Sequence, residues 1–151
     1  MSSVVNPLAS AARIAYGLGL AICFGTPGVI AMLLLSGAIA PGTQMPEGLV
    51  QQVGYLFTGL VFLAAAWVWW RRGGLLRSFK QLPTDRQPAM VIRETILYAA
   101  AFEASSLCGL VYWTLVGAHA ARHVWGFVLL TPILFLALVP RPDHWARALE
   151  A

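Results

Sequence analysis

Four stretches of this 151-residue chain stay apolar over a length that crosses a bilayer, and short charged or proline-bearing segments separate them. A hydrocarbon core about 30 Å thick needs roughly 20 helical residues. The expected spans fall at about 14–39, 48–70, 92–117 and 122–139, leaving 71–91 as a basic loop and 140–151 as a tail. Only 11% of residues are charged and 59% are apolar, where a soluble domain carries about a quarter charged. Too little polar surface remains to coat a water-soluble globule. The expected fold class is therefore all-α membrane, four transmembrane helices in a single domain.

The charges set an expected orientation. Arg71, Arg72, Arg77, Lys80, Arg86 and Arg93 lie between the second and third spans, Arg13 precedes the first, and Arg141 and Arg147 follow the last. Arg122 alone remains on the opposite side. Because basic residues accumulate in cytoplasmic loops, both termini and the basic loop are expected in the cytoplasm, with the chain in a bacterial inner membrane. The net charge of +4 needs no nucleic acid to explain it, since the basic residues sit beside apolar runs. Trp69 and Trp70, followed by Arg71 and Arg72, form an interface signature: rings at headgroup depth, guanidinium groups in water or on phosphates. Leu75, Leu76, Phe79 and Leu82 share a helical face beside Arg77 and Lys80, so this piece is expected along the membrane surface, touching anionic lipid. In the tail, Asp143 caps an expected interfacial helix that places Trp145 at the headgroups.

Helix breaks are expected in two spans. Pro27, flanked by Gly25 and Gly28, leaves the carbonyl of Cys23 without its helical donor, and Pro132 does the same for Val128. The first span is rich in glycine (Gly17, Gly19, Gly25, Gly28 and Gly37), which suits close approach of a second helix in lipid. Residues 1–12 are read as an uncleaved tail with a turn at Asn6-Pro7, because no basic n-region precedes the apolar run.

The third span carries Glu103 near its middle. Ten residues past Arg93, at 1.5 Å rise per residue, it lies roughly 15 Å deep, about half the hydrocarbon thickness. A carboxylate there faces the bundle or a wet cavity and marks a functional site. Ser106 is on the same face at i+3, which makes Glu103 with Ser106 the candidate ion-binding pair. Tyr16, Thr26, Tyr55 and Thr58 are candidate partners on other spans.

Arg86-Gln87-Pro88, Ile92-Arg93, Thr95, Ala101-Phe102, Glu103-Ala104 and Gly109-Leu110-Val111 resemble the cytoplasmic loop and carboxylate helix of the rotary ATP synthase proteolipid, subunit c. That resemblance implies an Arg-Gln-Pro loop facing a rotor stalk and a proton-binding role for Glu103. It covers positions 86–111 alone. Across the whole chain the layout is similar to small bacterial four-span membrane proteins with a glutamate in the third span.

The remaining polar residues give little chemistry. His119 and His123 lie one turn apart near the last connection and read either as interfacial histidines or as weak metal or haem ligands; neither a metal nor any other cofactor is expected. Cys23 and Cys108 sit in apolar runs and read as small buried hydrophobes. No nucleotide loop, His-Glu-x-x-His or Gly-x-Ser-x-Gly is present, so a non-catalytic protein is expected. The leading expectation is a packing or assembly subunit of a membrane complex, with other membrane subunits or copies of itself as partners. The alternative is a proton or cation carrier with Glu103 as its ion-binding group.

Overall fold

The computed structural model describes residues 7–42 and 45–150, apart from the side chains of Glu47, His119 and Glu150. These residues form α1 (Pro7–Leu35), α2 (Glu47–Ser78), α3 (Gln87–Val116), α4 (Ala121–Leu138) and α5 (Pro142–Glu150), with single 3₁₀ turns at Phe79–Gln81 and Ala118–Ala120 and no strand among them. Four helices are long and apolar enough to cross a membrane, the fourth running on from α4 into α5.

Proline marks where helices start. α1 and α5 begin on Pro7 and Pro142, α3 carries Pro88 in its first turn, and Pro46 precedes α2. The first turn of a helix makes no use of its backbone N–H groups, so proline costs nothing there and its fixed φ favours entry. Residues 7–12, read above as tail, are thus helical. α1 ends at Leu35, where Gly37 takes a positive φ of 72°. α2 continues past Trp70 to Ser78 and takes up the first eight residues of the expected loop. α1 and α4 both stay helical through their internal prolines, Pro27 and Pro132.

The core is built mainly by α1, α3 and α4, joined by Val68 of α2, by Phe79 and by Trp145 of α5, in three layers along the bundle. A middle layer joins Cys23, Tyr98, Phe102 and Phe135. Ile30, Leu34, Tyr112, Val116 and Val124 fill one end, and Leu8, Ala15, Phe79, Val91 and Trp145 fill the other. α2 lies to the side: 11% of its most apolar stretch is buried, against 39% for α3.

Two glycines allow close approaches between spans. A Cβ on Gly19 would stand 2.5 Å from the Phe135 ring, and one on Gly109 would stand 3.1 Å from the Val124 carbonyl oxygen. Close packing of this kind at small residues is a recurrent device where apolar helices associate. Gly17, Gly25 and Gly28 have nothing within 4 Å of that position, so of the first span's glycines only Gly19 acts as a packing contact. At the far end the indole of Trp113 donates to the Ile39 carbonyl at 3.1 Å, and Gly42 N–H donates to the Trp113 carbonyl at 3.2 Å. These bonds seat the connection after α1 on the end of α3.

Candidate functional site around Glu103

One turn of α3 gathers the polar groups of the bundle interior. Glu103 is 9% exposed and Ser106 is fully buried. At i+3 the two side chains meet on one helical face, and the Ser106 hydroxyl donates to Glu103 Oε2 at 2.7 Å. Glu103 Oε1 is buried with no hydrogen-bond partner among the described residues. The expected pair is therefore brought together, but within a single helix.

The bonds between helices come from neighbours that sequence reasoning passed over. From α4, the buried Thr131 hydroxyl donates to the Phe102 carbonyl at 3.0 Å and accepts the Ser106 N–H at 3.1 Å. Those two backbone groups stand in the i to i−4 relation that an α-helix ordinarily bonds directly, so the threonine reaches into the ladder of α3. In the opposite direction the Ser105 hydroxyl donates to the Phe127 carbonyl at 2.7 Å. Three hydrogen bonds thus tie α3 to α4 within one turn of Glu103. Pro132 leaves the Val128 carbonyl without its helical donor, yet the serine takes the carbonyl beside it.

On the α1 side, the Cys23 thiol makes a weak bond to the Ala99 carbonyl at 3.7 Å and lies within electrostatic reach of the Glu103 carboxyl. Cys23 is the residue whose carbonyl Pro27 deprives of a donor. Cys23 of α1 and the turn of α3 that precedes Glu103 are in contact. None of Tyr16, Thr26, Tyr55 and Thr58 is bonded to Glu103: Tyr16 packs on the Phe135 ring at 5.4 Å and Tyr55 accepts from Gln51. Cys23 and Cys108 are both free thiols.

A second polar centre, nearer the α5 end, was missed altogether. Arg71 Nε donates to Glu94 Oε2 at 2.6 Å and Arg71 Nη2 to Oε1 at 2.7 Å, a two-pronged pair. Glu94 is 1% exposed. The guanidinium also lies 5.5 Å from the centre of the Trp67 ring, which meets the Tyr98 ring edge-on. Arg72 donates to the Leu138 carbonyl at the end of α4, 3.0 Å away. Both arginines, expected on phosphates or in water, are thus taken up by the protein: α2 continues as a helix and turns them onto α3 and α4.

Trp145 is a further correction. It is 2% exposed, its ring 5.0 Å from the fully buried Phe79. Both were expected at the membrane surface. Instead the apolar faces of the tail and of the segment after α2 pack on each other and on Leu8, Ala12 and Val91, which removes both faces from water. Trp69 and Trp70 do point outward, at 65% and 73% exposure, and Arg77 and Lys80 are exposed.

The His119 side chain lies outside the described residues. His123 is exposed and meets the Tyr112 ring edge-on at 6.3 Å. No group of three or more His, Cys, Asp or Glu side chains converges among the described residues. Between α2 and α4 runs a groove of about 790 Å³, lined by Gly54, Thr58 and Phe62 on one side and Arg122, Gly126 and Leu130 on the other.

Known protein families, curated proteins and solved structures give no match to this chain.

Proposed function

We propose that this chain is a non-catalytic integral protein of the bacterial inner membrane, a packing or assembly subunit with both termini in the cytoplasm. The observation that supports it is the exchange of hydrogen bonds around Glu103. Ser105, Ser106 and Thr131 use their hydroxyls on carbonyls, a carboxyl oxygen and a backbone N–H of the same chain, which is how polar side chains fix helix register in lipid. Small residues facing the α2–α4 groove, Gly54 and Gly126, suit the approach of a neighbouring helix. Purification in gentle detergent followed by mass measurement of the native particle tests this reading. A particle heavier than the 16.3 kDa chain is expected; a stable monomer at membrane concentrations would overturn it.

The second reading is a proton or cation carrier, and one observation favours it. Glu103 Oε1 is buried and unbonded among the described residues, so the carboxyl keeps one oxygen for an exchangeable proton or ion. This is the role that the resemblance to the ATP synthase proteolipid implies for Glu103. Carbodiimides modify protonated carboxyl groups, so a carrier would show labelling of Glu103 that falls as pH rises, with loss of transport in Glu103→Gln.

A further inference from the structure

We infer that the crevice between the end of α2 and α5 is a phosphate site that takes the headgroup of an anionic phospholipid. The crevice has a volume of about 550 Å³, and Arg77, Lys80, His144 and Arg147 line it together with Gln81. Among the described residues no carboxylate lines it; Asp143 belongs to the same helix but stands outside.

The geometry leaves these groups free to donate inward. Arg77 Nε donates to its own helix at the Gly73 carbonyl, 2.9 Å away, and Arg147 Nε to the Asp143 carbonyl at 3.4 Å. Each guanidinium is thereby oriented along its helix, with both Nη groups unbonded among the described residues. His144 Nδ1 accepts the Arg141 N–H at 3.0 Å, so the neutral ring carries its proton on Nε2, again a donor. Beside the apolar Leu76 and Ala148, the polar part of the lining consists of cations and N–H donors, which match the oxygens of a phosphate.

Packing holds the walls in place before any ligand arrives. Lys80 follows Phe79, and His144 and Arg147 flank Trp145; the contact between those two buried rings sets the distance across the crevice. Such preorganisation distinguishes a site from a run of solvated charges. The lipid source follows from depth. Arg77 lies back toward Gly73, one turn from the exposed Trp69 and Trp70 rings, and tryptophans of this kind sit at the headgroup level. Beyond them α2 presents Leu63 and Leu56, 68% and 61% exposed, as a surface for acyl chains.

This inference rests on the membrane placement proposed above but not on the assembly role. The full-length chain is reconstituted in phosphatidylcholine nanodiscs containing a fixed minority of phosphatidylglycerol, and the lipid retained on the released protein is counted by native mass spectrometry. Wild type is expected to retain phosphatidylglycerol. Lys80→Gln with Arg147→Gln should lower retention roughly tenfold or more, while Arg13→Gln with Arg86→Gln, which removes the same charge from exposed positions elsewhere, should lower it less than about twofold. Equal losses in the two pairs would overturn the site and leave a diffuse charge effect. Binding of inorganic phosphate alone, with no preference for phosphatidylglycerol, would overturn the lipid assignment. Circular dichroism of each variant in nanodiscs tests folding, and failure of wild type to incorporate would overturn the membrane placement itself.

Discussion

Arg71 holds Glu94 by two hydrogen bonds of 2.6 and 2.7 Å, and this pair fastens the lightly packed α2 to the bundle of α1, α3 and α4. Removing one member leaves the other beside apolar surface without its counter-charge. Arg71→Ala is expected to destabilise by about 2 kcal/mol, below the 3–5 kcal/mol of a fully buried pair because Arg71 is 36% exposed. Glu94→Gln, which keeps an acceptor oxygen, should cost less. Thermal unfolding in a mild detergent reads both.

Thr131→Val keeps the shape of the side chain and deletes its hydroxyl. Two bonds to the α3 backbone are lost, at about 0.6 kcal/mol each in a membrane interior. A loss of about 1 kcal/mol is expected, with Ser105→Ala roughly additive only in part, since both bonds join the same helix turns. A double-mutant cycle measures the coupling.

Gly19 and Gly17 make a matched pair on one helix. Alanine at Gly19 drives a methyl group into the buried Phe135 ring, on which Tyr16 also packs, and should cost about 1–3 kcal/mol. Alanine at Gly17 meets nothing within 4 Å and should change stability by less than about 1 kcal/mol, in the stabilising direction.

Much of the architecture was legible because it depends on composition along the chain. The four apolar runs follow from length and hydrophobicity alone, and the meeting of Ser106 with Glu103 follows from helical spacing. What was illegible depends on how helices lie against each other. Glu94 reads as the polar edge of a span until α2 is seen to run beside it with Arg71 in reach. Arg72 and Trp145 carry the interface signature equally well whether they face lipid or protein, and only the packing of the tail on Phe79 decides. Ser105 and Thr131 lie in different spans, so nothing in the linear order announces that each bonds the other's helix.

Dissipation of an imposed pH gradient tests the structural role of the Glu103 turn most directly. The native particle is reconstituted in vesicles as wild type and as Glu103→Gln, whose amide oxygen still accepts the Ser106 hydroxyl. A packing subunit predicts background leakage from both and the same native mass for both. Wild-type dissipation well above empty vesicles, abolished by Glu103→Gln with the particle intact, would contradict it.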